Sequence, residues 1–205
     1  MQQQITFRLP FDDQWLTFWG GNTAKLNQHH NETSQRFAFD FIQTNENGKF
    51  YRTDGKTNVD YYSFGQPILA PATGIIIEAV DGLRDNAPGV INHYQMLGNY
   101  VVIQHSENLF SVLAHLCQDS VMVKAGDEVK TGQKIGACGN SGYTTDPHLH
   151  YHVQDSATFA RIGKNWDKQN VAKGVKVAFS NILVNDSNLP LSLHSPIKGE
   201  LVSQL

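Results

Sequence analysis

The chain has 205 residues, about 40% of them hydrophobic and 17% charged, with a formal net charge of −3. That length suits one well-buried core and is short for two ordinary domains, so a single domain spanning 1–205 is expected. The weak negative charge gives no reason to expect nucleic acid as a partner, since that would need a basic face, and it does not favour an anionic polymer either.

The first residues, Met1-Gln-Gln-Gln-Ile-Thr-Phe-Arg-Leu-Pro10, lack the basic start and apolar run of an export signal. No apolar stretch approaches the roughly 20 residues that a membrane-spanning helix needs. The sequence as read is therefore expected to be soluble, with no integral membrane segment, and a removed export signal would leave no trace in it.

Helical periodicity is scarce, and short β-rich runs bounded by turn residues take its place. The spacing predicts strands over 37–42, 67–70, 74–80, 99–105, 109–115, 134–138 and 148–154. Turns fall at Asp54-Gly55, Ala72-Thr73-Gly74, Asp81-Gly82, Ala125-Gly126-Asp127 and Gly139-Asn140-Ser141-Gly142. Seventeen glycines and frequent Val, Ile, Tyr and Phe agree with this pattern. The expected fold is all-β, an antiparallel sandwich or open barrel. Two longer connections, 44–64 and 83–97, are expected to form the rims of a groove. Cys117 and Cys138 are expected as small buried thiols rather than a disulfide.

Nine histidines are many for this length, and they cluster. The densest group is Pro147-His148-Leu149-His150-Tyr151-His152-Val153. Alternate strand residues share a face about 6.6 Å apart, so His148, His150 and His152 should project together while Leu149, Tyr151 and Val153 face the core. Metal binding and an ordinary solvated strand face would produce the same pattern. A second group, Asn27-Gln28-His29-His30, precedes a run in which Asp40 alternates with Phe39 and Phe41. A carboxylate between phenylalanines is costly unless paired or bound to metal, although an exposed acid on a half-buried strand fits equally well. His115 ends a third run, Ser111-Val112-Leu113-Ala114-His115-Leu116, where a lone histidine is usually structural. His152 is expected to line a groove or face water, and His93, His105 and His194 to lie on the surface. Asn140, Ser141 and Gly142 are expected to shape a turn.

In their order these patches resemble the LytM/lysostaphin-type metallopeptidases, peptidase family M23. The resemblance is carried by Gln35-Arg36-Phe37-Ala38-Phe39-Asp40, by Gly65-Gln66-Pro67-Ile68-Leu69-Ala70-Pro71-Ala72-Thr73-Gly74 and by Gly98-Asn99-Tyr100-Val101-Val102-Ile103. It continues through Ala114-His115-Leu116, Val123-Lys124-Ala125-Gly126-Asp127-Glu128-Val129-Lys130-Thr131-Gly132-Gln133, Gly139-Asn140-Ser141-Gly142 and Pro147-His148-Leu149-His150. It covers about 19–154, which makes 155–205 a C-terminal extension.

The resemblance implies a zinc ion held by His150, Asp40 and a histidine upstream of that aspartate. The commonest family pattern places this histidine four residues before the aspartate, where this chain has Arg36. The variant with a longer insertion, Asn-x-His before Gln-Arg, selects His29 over His30. His115 and His148 match the two active-site histidines that do not bind metal. Two imidazoles and one carboxylate leave a tetrahedral zinc one open position, as catalytic sites do. The implied activity is a zinc-dependent endopeptidase acting on peptidoglycan stem peptides or cross-bridges, in the periplasm, in the cell wall or outside the cell. The resemblance also leaves room for a non-catalytic binding or regulatory module on the same fold, which predicts missing ligands, and for a peptidase acting on peptides other than cell wall.

Overall fold

The computed structural model describes residues 5–157, 171–185 and 187–205. Twelve strands make up nearly all of its regular structure. They are β1 (Trp15–Trp19), β2 (Phe39–Ile42), β3 (Pro67–Leu69), β4 (Gly74–Val80), β5 (Asn99–Ser106), β6 (Leu109–Leu116), β7 (Glu128–Val129), β8 (Lys134–Ala137), β9 (Leu149–Gln154), β10 (Phe179–Val184), β11 (Leu191–His194) and β12 (Leu201–Gln204). Ten of them form one sheet in the order β11-β10-β12-β1-β2-β9-β6-β5-β4-β7, and β3 pairs separately with β8. Among the described residues every strand pair is antiparallel and β11 and β7 are the edges of the large sheet, which stays open. The protein is thus all-β and antiparallel, and it is not closed into a barrel.

All seven strands expected from sequence form, within a residue or two at each end. The sequence reading missed β1, β7 and β10–β12. The last three come from the segment set apart as an extension, yet β12 pairs with β1 in the sheet that holds β2 and β9. Their apolar residues share the main core. Phe179, Ile182 and Val202 are buried in one cluster with Trp15, Phe39, Phe41, Leu113 and Tyr151. The Phe179 ring lies 5.5 Å from Phe39 and 5.8 Å from Tyr151, immediately behind the middle of β2 and β9. Aromatic pairs at this spacing bury large areas and stiffen the strands that carry them. Both cysteines are free thiols, with Cys138 buried and Cys117 partly so.

Register is what positions the site. Phe39 pairs with Tyr151, Asp40 with His150 and Phe41 with Leu149. On the next strand, Ala114 lies opposite His150 and Val112 opposite His152. Since alternate residues share a face, one face of β2 and β9 presents the phenylalanines, Leu149, Tyr151 and Val153 to the core. The other face gathers Asp40, His150 and His152. A slip of one residue would exchange the two sets, so burial of the aromatic face enforces the polar one.

Candidate metal centre

Asp40 and His150 are cross-strand neighbours, and directly opposed antiparallel residues have Cβ atoms about 5 Å apart. His150 Nδ1 lies 2.9 Å from Asp40 Oδ1. His29 arrives from a different direction, on a four-residue 3-10 helix (Gln28–Asn31) in the loop between β1 and β2. Asn27 holds that loop. Its Oδ1 accepts from His29 N at 3.0 Å, and its amide lies 3.0 Å from Ala38 O and about equally far from the Gly21 and Arg36 carbonyls. Buried completely, Asn27 ties the start of β2 to the helix and delivers His29 Nε2 to 2.9 Å from Asp40 Oδ2. Gln28 donates to the same oxygen at 2.8 Å. His30 takes no part, and its buried Nδ1 has no hydrogen-bond partner among the described residues.

His115 and His148 stand beside this group. The His115 ring centroid lies 4.9 Å from that of His148 and 5.8 Å from that of His150. Strict alternation would turn His115 away, because its neighbour Ala114 already faces His150. A left-handed backbone (φ 62°) at His115 ends the alternation and brings the ring round to the site. His115 Nδ1 donates to Ser141 O at 2.8 Å, and His148 Nδ1 donates to Asp146 O at 2.9 Å. In each ring the Nδ1 proton is tied to a backbone carbonyl, which leaves Nε2 as a lone pair. His148 Nε2 is 3.8 Å from Asp40 Oδ1.

The electrostatics follow from burial and crowding. Burial pushes the Asp40 carboxyl upward, but His29 and His148 beside it and hydrogen bonds from His150 and His29 outweigh that and hold it well below the usual range. Burial lowers the pKa of His29, yet the Asp40 carboxylate overcomes it and the net shift is upward. Burial dominates at His150, and at His115 it is reinforced by His148 and His150, so both favour the neutral ring. An ionised Asp40 beside a neutral His150 is the protonation state that a cation requires of those two donors, while the upward shift at His29 comes from the Asp40 carboxylate whose charge a cation would offset.

The turn supporting His115 explains the glycine motifs. Asn99 N donates to Ser141 Oγ at 2.8 Å, Ser141 Oγ donates to Leu116 O at 2.7 Å, and Asn140 and Ser141 are wholly buried. These residues shape the turn. Gly98 has φ 64°, and a Cβ there would sit 2.2 Å from Ser141 O, the acceptor of the His115 proton. Gly98→Ala combines left-handed strain with a backbone clash. We expect it to lower the unfolding free energy by about 2–5 kcal/mol in urea titrations and to shift the His115 ring.

A groove of about 190 Å3 opens onto the cluster, lined by Phe18, Trp19, Phe50, Tyr61, Asp146 and His148 among others. The connection 44–64 contributes Phe50 and Tyr61 to it, as expected. The connection 83–97 does not line this groove and braces the 139–145 turn instead, with Asn86 donating to Gly142 O and Gly89 N to Thr145 O. The β1 residues Phe18 and Trp19 form the apolar wall, a role that sequence reasoning missed together with the strand. Two histidine assignments also change. His152 is 1% exposed and neither lines a groove nor faces water. His105 is partly buried, with Nδ1 2.9 Å from Thr73 O and Nε2 2.7 Å from Ser111 Oγ. His93 is exposed, and His194 is half-buried against Glu200.

The model of peptidase family M23 matches residues 56–162, just over half of the chain. The chain belongs to peptidase family M23. The match takes in His115, His148 and His150, while His29 and Asp40 precede it. Over 151 residues the chain is 30% identical to the peptidoglycan DD-endopeptidase ShyC of Vibrio cholerae, covering 74% of this chain and 33% of that protein. Over 92 residues it is 34% identical to the murein hydrolase activator NlpD of Escherichia coli, covering 45% of this chain and 21% of that one. Among solved structures it is similar to the catalytic domain of the prophage-encoded M23 protein EnpA of Enterococcus faecalis, at 21% identity and a TM-score of 0.46, covering 83% of this chain and 94% of that one. The chain spans a third or less of the length of the curated relatives it matches first.

M23 metallopeptidases use zinc, and the donor set here suits that ion. His29, Asp40 and His150 each offer one atom within 4.8 Å of the others. Zinc takes nitrogen and oxygen ligands at about 2.0–2.2 Å, so the edges of its tetrahedron are about 3.3 Å long. Both histidines contact Asp40 at 2.9 Å, His29 at Oδ2 and His150 at Oδ1, so the carboxylate stands between the two rings within reach of an ion that all three would share.

Proposed function

We propose that this M23 chain is a zinc-dependent endopeptidase that hydrolyses peptide bonds in bacterial peptidoglycan stem peptides or cross-bridges. The observation that carries the proposal is the meeting of three donor atoms, from His29, Asp40 and His150, with two further imidazoles whose Nε2 lone pairs remain free for chemistry. An intact donor set argues for catalysis over a purely regulatory role of the kind that the name of NlpD describes.

In this reading His29, Asp40 and His150 hold the ion. When bound, zinc supplies Lewis acidity and lowers the pKa of coordinated water to about 7. The protein's own groups then manage protons and charge. An Nε2 of His115 or His148 accepts the proton that the attacking water loses, and that proton passes to the leaving amine as the peptide C–N bond breaks. The other ring, entering the step with a proton taken from solvent on Nε2, donates to the developing oxyanion. Phe18, Trp19, Phe50 and Tyr61 provide an apolar wall against which an extended peptide can lie. A cell-wall substrate places the protein's work in the periplasm, in the wall or outside the cell. No helix among the described residues is long and apolar enough to cross a membrane.

The test is digestion of purified peptidoglycan followed by mass spectrometry of the released fragments, with and without a zinc chelator. We expect fragments cut at peptide bonds, their loss on chelation and their return with added zinc. Intact wall beside a protein carrying one zinc per chain would favour the regulatory role. Cleavage of unrelated peptides with the wall untouched would move the substrate elsewhere.

A further inference from the structure

Beyond His150 the polar face of β9 continues through His152 to Gln154, and all three side chains are essentially inaccessible to solvent. His150 Nε2 lies 3.0 Å from His152 Nδ1, and His152 Nε2 lies 3.1 Å from Gln154 Oε1. Gln154 Nε2 donates to Ser156 O at 2.7 Å. The far end of this row fixes its direction. Because the Gln154 amide nitrogen is committed to a backbone carbonyl, its oxygen faces His152, and a flipped amide would set two oxygens against each other. His152 must then carry its proton on Nε2, which leaves Nδ1 as an acceptor. With a cation in place of the proton that Nδ1 otherwise shares with Asp40 Oδ1 at 2.9 Å, His150 in turn carries its proton on Nε2 and turns its Nδ1 lone pair to the Asp40 side.

We infer that His152 is a positioning residue which, anchored by Gln154, holds His150 in the one neutral tautomer that can offer Nδ1 to a cation. This rests on the zinc reading of the site. A hydrogen-bond partner on the outer nitrogen of a ligating imidazole fixes its tautomer and ring orientation and raises its basicity, and losing such a partner typically weakens metal binding 10–100-fold. Burial sharpens the effect here, since no water can replace the missing acceptor and an N–H left without a partner is costly.

Zinc affinity, measured by chelator competition on the full chain, tests the inference. His152→Leu removes the acceptor and keeps the bulk, and it should weaken binding about 10–100-fold. In His152→Asn the side-chain oxygen stands where Nδ1 stood, so affinity should return to within about threefold of the parent, although the smaller residue loses more packing. A role in packing alone predicts the reverse order, with Asn at least as damaging as Leu. Should the Leu variant fail to fold, nitrogen-15 correlation spectra of the zinc-loaded parent decide the matter without substitution, since the proton of His152 should sit on Nε2. A proton on Nδ1, or a Leu variant binding within threefold of the parent, would overturn the inference and leave the zinc site standing. A parent that binds no zinc would overturn both.

Discussion

Asp40→Asn should bring zinc content from about one ion per chain to nearly none, with peptidase activity falling at least about a thousandfold. The carboxylate is the one anionic donor among the three, and it bridges the other two, with Oδ2 facing His29 and Oδ1 facing His150. Asparagine keeps the shape and one acceptor oxygen but removes the charge that offsets the cation in a buried site. The expected loss in rate follows from what the ion contributes. Metal polarisation supplies several kcal/mol of transition-state stabilisation, and each 1.36 kcal/mol is a factor of ten. Circular dichroism of the metal-free variant should show the fold retained, because β2 is held by its phenylalanine face and not by Asp40. His29→Ala should lose zinc in the same way and His30→Ala should keep it. Full zinc in Asp40→Asn, or loss of zinc in His30→Ala alone, would show that the ligand set is misassigned.

The central strands were legible in sequence because their signals are local. Phe39-Asp40-Phe41 and Leu149-His150-Tyr151 alternate with period two, and the apolar members of both are buried in one cluster. Alternation tells which residues share a face, but it does not tell whether that face is covered. That is why His152 reads as solvated from sequence and proves wholly buried. Covering depends on which distant segments lie nearby, such as 173–175, where Val175 N donates to Val153 O and Gly174 N to Thr33 O. The C-terminal strands were hidden for another reason. In β10 the Phe-Ser-Asn-Ile-Leu-Val run is interrupted by Asn181 at φ 53°, and three of the four residues of β11 are exposed. Neither strand carries a clean pattern, and their place in the sheet comes from pairing with β12. His115 was legible as a residue type but not as a conformation. A left-handed histidine has no glycine to announce it, and only the turn at Gly98 and Ser141 makes that geometry hold.

His115→Ala and His148→Ala are expected to behave unlike the ligand variants, with turnover reduced about 10²–10⁴-fold and zinc remaining near one per chain. Neither ring belongs to the three-donor cluster, so neither should be needed to retain the ion. The two differ in position. His148 lines the groove, and its Nε2 is 3.8 Å from Asp40, whereas His115 is buried 4.9 Å away across the ring contact. His115→Ala also places alanine in a left-handed backbone, so His115→Asn, which tolerates that conformation, separates lost chemistry from lost geometry. Turnover equally low in both His115 variants would assign the loss to the imidazole. Because each ring has its own carbonyl anchor, at Ser141 for one and Asp146 for the other, removing one should leave the other in place. The double variant should therefore lose close to the product of the two single effects, as expected for one proton carrier and one oxyanion donor. A double variant no slower than the worse single one would instead make the pair a single relay, since groups that act as a unit fail together. Loss of zinc in either single variant would move that histidine from the chemistry to the metal.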